Sequence, residues 1–272
     1  RDQWLMALAE GRGVTFYVSP NLAQWTAVGA FEREDLGLLE CPDLFEMTAD
    51  DGSTHWILGV SANAKHRGLP STYAYWTGHF DGAAFTPDDA EPAWLDWGFD
   101  FYGAVTYPHH LPSGEEDPAL RHVLGWANFW DYPHNAPTIH MDGYNGDDMI
   151  VRDLRLAHTQ HGYRLFSRPT AALSDYVTRT HHVRDLDVEG HWDLDHRAHA
   201  YELACEITWS GMSGDIGIEV CRSRGGTRSV KAGLNVAQAQ AYLDRTSTAN
   251  PSAGRTAAPL DARQGRAGIR LL

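Results

Sequence analysis

From residue 4 to about residue 167, short apolar and aromatic runs alternate with Gly, Asp, Asn and Pro. Trp4-Leu5-Met6-Ala7-Leu8-Ala9 is strand-like, and Gly13-Val14-Thr15-Phe16-Tyr17-Val18 is closed by Ser19-Pro20-Asn21. His55 to Val60 follows the Asp51-Gly52 turn. Thr72 to Phe80 runs into Asp81-Gly82, a favoured tight-turn pair. Phe101 to Tyr107 and Val123 to Phe129 are further candidate strands, and Met149 to Thr159 and Tyr163 to Ser167 flank Gln160-His161-Gly162 as a hairpin. Helical periodicity is weak. The best helix is Val236 to Leu243, a stretch that strand and turn would also fit. Many short strands at turn-marked spacing predict an all-β sandwich, barrel or propeller and not an alternating α/β fold.

The texture changes near Ser167-Arg168-Pro169. Eight of the ten Trp lie before it, and only Trp192 and Trp209 after. Beyond it come alternating runs such as Tyr201 to Trp209 and Ile216 to Val220, which read as strands with one buried face. The expected division is one domain over residues 1–168 and a second over 178–272, with the boundary at 168–178.

Composition narrows the function. The 272 residues carry 22 Lys+Arg against 36 Asp+Glu, a net charge of −14. A polyanion would be repelled, and the nearest basic group, Arg222, Arg224, Arg228 and Lys231, is thin, which argues against a nucleic-acid partner. Apolar runs fall far short of the roughly 20 residues a bilayer span needs, so no membrane role is expected. Cys41, Cys205 and Cys221 match neither a disulfide framework nor a zinc site. Cys205 and Cys221 would pair if neighbouring strands bring them together; two buried thiols are the other reading. The chain starts at Arg1 with no initiator Met and stops within an apolar strand pattern, so it reads as an internal fragment with no visible signal peptide.

Six Trp between residues 56 and 130 are interleaved with Asp and Asn. Aromatic faces stack on sugar C–H faces while carboxylates and amides bind hydroxyls; equally, Trp can simply fill a β core. Leu39-Glu40-Cys41-Pro42-Asp43-Leu44-Phe45 is the strongest local segment. A Glu beside a thiol and a proline turn, held between apolar residues, suits a general acid, because partial desolvation raises a carboxyl pKa. An ordinary turn with a solvated Glu is the plainer alternative. The fifteen His include His109-His110 and His181-His182, but adjacent His on a strand point to opposite faces and cannot chelate together. Asp193, Asp195 and His196 could hold an ion from a loop, but the partners a transition-metal site needs are lacking. Asp142-Gly143-Tyr144-Asn145-Gly146-Asp147-Asp148 lacks the twelfth-position Glu of a calcium loop. Ser210-Gly211-Met212-Ser213-Gly214 is no nucleophile elbow, and Gly225-Gly226 is no phosphate loop.

Leu39 to Phe45 resembles the Glu-Cys-Pro-Asp motif of glycoside hydrolase family 32, the fructan hydrolases and invertases. Four more segments follow the family's order. Phe16 to Trp25 resembles a segment ending S-x-D-L-x-x-W. Asp100-Phe101-Tyr102-Gly103-Ala104 resembles the D-F-Y-A motif that lines the sugar site. Leu124 to Tyr132 resembles the G-W-x-x-N-W segment, whose first Trp packs near substrate. Ile150-Val151-Arg152-Asp153-Leu154 resembles I-P-R-E-L, with Val151 for Pro and Asp153 for Glu. Ala241 to Thr246 is similar to the family's C-terminal domain.

The resemblance implies a five-bladed β-propeller, here lacking its first blade or more, followed by a C-terminally truncated β-sandwich. It places the general acid/base on Glu40 and substrate binding on Cys41, Asp43, Asp100, Tyr102, Trp126, Asn128 and Arg152, with no metal and no cofactor. The implied reaction is retaining hydrolysis, in which two carboxylates lie roughly 5–5.5 Å apart. The family's nucleophile is an Asp in a W-M-N-D-P-N-G-type motif, which nothing here matches. Arg1-Asp2-Gln3 is not its R-D-P motif. The fragment alone is therefore expected to be inactive. Tyr132 to Thr138 and Asp142 to Gly146 look most similar to levan-active bacterial members, which implies a β-2,6-fructan substrate and secretion. Levan fructotransferase activity, giving a difructose anhydride, is the alternative on the same fold. A non-catalytic fructan-binding module is the rival from another class.

Overall fold

The computed structural model describes residues 3–135, 138–211, 214–249, 254–260 and 265–272. Arg1-Asp2, Ala136-Pro137 and Met212-Ser213, which belong to segments singled out above, lie outside the described residues. The chain divides into two compact units, residues 1–171 and 172–272. Both are built of β-strands, as the spacing of short apolar runs predicts.

In the first unit, β1 (Trp4–Glu10), β2 (Gly13–Ser19) and β3 (Thr26–Glu32) form an antiparallel sheet in chain order. A second sheet follows from β4 (Leu39–Thr48), β5 (Thr54–Ala62), β6 (Tyr73–Phe80) and β7 (Phe85–Pro87), with β8 (Ala93–Trp94) also pairing β6. The third holds β9 (Tyr102–His110), β10 (Glu116–Trp126), β11 (Arg152–Thr159) and β12 (Gly162–Pro169).

The middle sheet explains why its strands read as unbroken apolar runs. Side chains along a strand alternate between faces, and residues 57–62 of β5 are all buried, so both faces are covered. Leu58, Val60 and Ala62 join Val14, Phe16, Phe31, Trp76, Phe80 and Phe85 in one apolar layer toward the first sheet. Ile57 joins Phe45, Met47, Tyr73, Tyr75, Phe101, Val123, Leu154 and Leu156 in another toward the third. Each Val, Leu, Ile, Phe or Met side chain among them, fully buried, contributes about 1.5–3 kcal/mol. Three meanders stacked through apolar layers in chain order form successive propeller-type blades. The first sheet leaves Trp4, Leu5 and Leu8 exposed, and the third Val105, Tyr107 and Phe166.

In the second unit, β13 (Leu203–Thr208) pairs β18 (Arg266–Leu271), and β14 (Asp215–Val220), β15 (Val230–Asn235), β16 (Gln240–Asp244) and β17 (Arg255–Pro259) form a four-stranded meander. Leu203, Cys205 and Ile207 are half-buried while the residues between them are exposed, the alternation of a sheet with one covered face.

Three expectations are corrected. Val236 to Leu243 is not a helix: residues 236–239 turn, and Gln240 opens β16, bonded to β15 on one side and β17 on the other. Two ladders outweigh the high helix propensity of its Ala and Gln. Cys205 and Cys221 form neither a disulfide nor a buried pair, since all three cysteines are free, Cys205 is half-buried and Cys221 exposed. Leu39 to Phe45 is strand, not a proline turn.

Candidate active site

Glu40 stands second in β4, next to the fully buried Leu39. The β4–β5 register runs Leu39↔Ala62 and Glu40↔Ser61, then resumes at Asp43↔Gly59. Cys41 and Pro42 therefore oppose Val60 alone, which is a β-bulge. Pro42 has no N–H to give a ladder, and a bulge is where a strand accepts it. Cys41 takes up the bend with a left-handed φ of 48°. The extra residue also changes phase. Positions three apart normally face opposite sides of a sheet, but Glu40 and Asp43 stand opposite Ser61 and Gly59, two residues apart on β5. Both carboxylates thus share the face that looks toward the third sheet.

The neighbouring strand repeats the device. On β9 the register to β10 passes from Val105↔Leu124 to Tyr102↔Trp126, and Gly103 carries a φ of 59° in the slipped step. Glu40 and Tyr102 each sit directly before a left-handed residue, at the start of adjacent strands. Their side chains meet: the Tyr102 hydroxyl donates to Glu40 Oε2 at 2.5 Å. That length belongs to a charge-assisted O–H···O⁻ bond. Tyr102 is buried, and burial first, then the Glu40 carboxylate, push its hydroxyl well above the usual tyrosine value. It stays a donor throughout the ordinary pH range. Cys41 itself is exposed, and partial desolvation of its thiol, followed by the charge of Glu40, raises it.

Asp43 does not turn to the same partner. Its Oδ2 accepts the Thr106 N–H of β9 at 2.7 Å. Burial pushes its carboxyl up, opposed by the Thr106 hydroxyl and amide and by the charge of Arg121. Opposite Asp43, Gly59 leaves room for the Tyr73 ring: a Cβ there would lie 1.7 Å from Tyr73 Oη. The Tyr73 hydroxyl and Ser61 Oγ are buried with no hydrogen-bond partner among the described residues.

The other expected residues gather around Tyr102. Trp126 ends β10 opposite it and meets Trp130 edge-on at 5.1 Å. Trp130 is 62% exposed. Phe129 packs against the Tyr102 ring at 5.3 Å, and the buried Asn128 fixes that loop by accepting the Phe129 N–H at 2.8 Å and donating to the Pro133 carbonyl at 3.3 Å. Asp100 accepts from the Tyr132 hydroxyl. Arg152 on β11 pairs with Asp96 at 2.7 Å and lies 4.4 Å over the Phe101 ring, beside Tyr102 in sequence. Glu40 and Tyr102 are thus in direct contact, Trp126 and Asn128 adjoin them through strand pairing and Phe129, and Asp100 and Arg152 hold the segment just before Tyr102.

Sequence reasoning missed Asp96, Thr106 and Arg121. Asp96 sits in an Asp-x-Gly turn, where its Oδ1 accepts the Gly98 N–H at 2.6 Å, but nothing local marks it as the partner of Arg152. His191, His196 and His199 lie in an exposed stretch without regular structure, and no group of three metal-binding side chains occurs among the described residues.

Residues 1–169 match the model of the glycosyl hydrolases family 32 N-terminal domain. A levanbiose-producing levanase of Geobacillus stearothermophilus is 40% identical over 256 residues, covering 94% of this chain and 64% of that protein. A levanbiose-producing levanase of Bacillus subtilis is 38% identical over 276 residues, covering 100% of this chain and 52% of that protein. The chain therefore spans between half and two thirds of the length of these relatives. The crystal structure of exo-inulinase from Aspergillus awamori shares the fold, with a TM-score of 0.76 at 24% identity over 98% of this chain and 55% of that one.

Proposed function

The chain belongs to glycoside hydrolase family 32, and from that premise we propose that the protein containing it hydrolyses fructosidic bonds in fructans, with β-2,6-linked levan as substrate. The observation that carries this reading is the Glu40–Tyr102 pair: the carboxylate of the Glu-Cys-Pro-Asp motif, held by a buried phenol beside the Trp126–Phe129–Trp130 aromatic group. Glu40 is the general acid/base. It protonates the departing glycosidic oxygen and then takes a proton from the incoming water. The nucleophile is an aspartate outside these 272 residues, and it forms the fructosyl-enzyme. The 272-residue chain on its own is accordingly inactive.

The tyrosine contributes to the first step in a definite way. As Glu40 gives up its proton, negative charge develops on its oxygens, and the Tyr102 O–H is already aimed at one of them. A donor that binds the developing charge more strongly than the neutral acid lowers the barrier. Aromatic faces at Trp126 and Trp130 suit the C–H faces of fructosyl rings. Asp100, Asn128 and Arg152, with Cys41, complete the proposed sugar-binding set.

The names of the two levanases support levan over sucrose, and a polymer met outside the cell fits secretion. No helix among the described residues is long and apolar enough to cross a membrane. The three sheets of the first unit are read as blades of a five-bladed propeller over residues 1–168, and 178–272 as a β-sandwich domain. Substitution Glu40→Gln in the full-length protein tests the assignment. Turnover of levan should fall by about 10²–10⁴ while binding changes little. Near wild-type turnover removes Glu40 from the mechanism.

A further inference from the structure

We propose that Asp43 is not a sugar ligand but a positioning residue for Glu40, acting as a strap between β4 and β9. The proposal rests on the reading of Glu40 as the acid/base. A catalytic carboxylate must be held to within about 0.5 Å of its working position, yet Glu40 lies where the β4–β5 ladder is interrupted. The bulge places Cys41 in a left-handed conformation and removes one N–H at Pro42. The backbone pairing that fixes most strand residues is therefore interrupted beside this one.

The structure supplies a substitute on the other side. Thr106 N–H donates to Asp43 Oδ2 at 2.7 Å, four residues along β9 from Tyr102. The Thr106 hydroxyl accepts from Arg121 Nε at 3.0 Å and helps hold the Asp43 carboxyl down against burial. The Arg121 guanidinium is fixed in turn 4.4 Å over the ring of Phe45, on the same face of β4. Two bonds thus tie the bulged end of β4 to β9, Tyr102–Glu40 and Thr106–Asp43, and the second is braced by a half-buried cation. Gly59 and the Tyr73 ring fill the space opposite Asp43 with no competing hydrogen-bonded partner. An acceptor engaged by the backbone amide of the neighbouring strand is poorly placed to bind a sugar. It is well placed to fix the distance between the strand that carries the acid and the strand that carries its donor.

The test compares wild type, Asp43→Asn and Thr106→Val in the full-length protein on two substrates, levan and an aryl β-fructofuranoside whose phenol leaves without protonation. Thr106→Val keeps the backbone N–H and removes only the hydroxyl that Arg121 braces, so it decides the matter if Asp43→Asn fails to fold. Misplacing a catalytic group by about 1 Å costs up to about a hundredfold in rate. Asp43→Asn should lower kcat on levan by about ten- to a hundredfold with KM within about twofold of wild type, and Thr106→Val by less. Read as kcat/KM, which reports only fructosyl transfer to the enzyme, both losses should shrink severalfold on the aryl fructoside, because that substrate bypasses the acid step. A rise in KM at unchanged kcat makes Asp43 a sugar ligand and overturns the proposal. Equal losses on both substrates, or no loss, overturn it as well. A wild type inactive on both overturns the hydrolase reading itself, and the strap with it.

Discussion

Tyr102→Phe removes one oxygen and leaves the ring, its packing on Phe129 and the Trp126 pairing in place. The oxygen it removes is the donor to Glu40 at 2.5 Å, and Tyr102 is 4% exposed, so water does not readily replace it. A hydrogen bond to a charged group is worth about 1.5–3 kcal/mol. In the first half-reaction Glu40 begins protonated and ends ionised, so most of that amount is felt in the transition state. At 1.36 kcal/mol per factor of ten, kcat/KM for levan should fall by about ten- to a hundredfold. The second half-reaction runs the other way: Glu40 begins ionised, and losing the donor makes it a stronger base. The deficit should therefore be confined to fructosyl transfer to the enzyme. Steady-state kinetics of the full-length protein on levan and on an activated aryl fructoside separate the two, with a large loss on levan and a small one on the aryl substrate. A kcat/KM on levan within twofold of wild type would mean that the Tyr102–Glu40 bond does not assist the acid step.

Gly59→Ala places a methyl 1.7 Å from Tyr73 Oη and 2.1 Å from its Cζ, against a fully buried ring; overpacking should cost about 1–3 kcal/mol, read as a lower denaturant midpoint, and an unchanged midpoint contradicts the packing described. Arg33 holds the Asp35 carboxyl at about 2 instead of 3.8, through bonds of 2.9 and 3.0 Å. A depressed carboxylate stabilises above its unfolded pKa and loses that contribution as pH falls through its folded one. Because Asp35 is partly exposed, Asp35→Asn should cost at most about 1 kcal/mol at pH 7, with the deficit fading between about pH 4 and pH 2; an equal deficit at pH 2 speaks against the pair.

The strands that were legible in the sequence are those whose pattern is set by burial on the spot. Ile57 to Val60 and Tyr73 to Phe80 are unbroken because both faces of the middle sheet are covered, and Tyr163 to Ser167 follows a plain turn. β3, Thr26–Glu32, is built largely of small residues and carries no such signal. Pro42 suggested a turn because its effect on the ladder is local, while the strand that absorbs it as a bulge is defined by β5, some twenty residues on. The site divides in the same way. Glu40, Tyr102 and Trp126 stand in short motifs with fixed neighbours, so their order along the chain was readable. Thr106 and Arg121 act on Asp43 from sequence separations of more than sixty residues, and only the packing of β4 on β9 brings them together. The same holds for Asp96, which meets Arg152 across fifty-six positions.

The decisive measurement is to incubate the full-length protein separately with levan, inulin and sucrose and to identify the products. Fructose or short fructo-oligosaccharides should form from levan, faster than from inulin or sucrose. A non-reducing difructose would instead make the protein a transferase, and levan bound without any product would contradict the catalytic account.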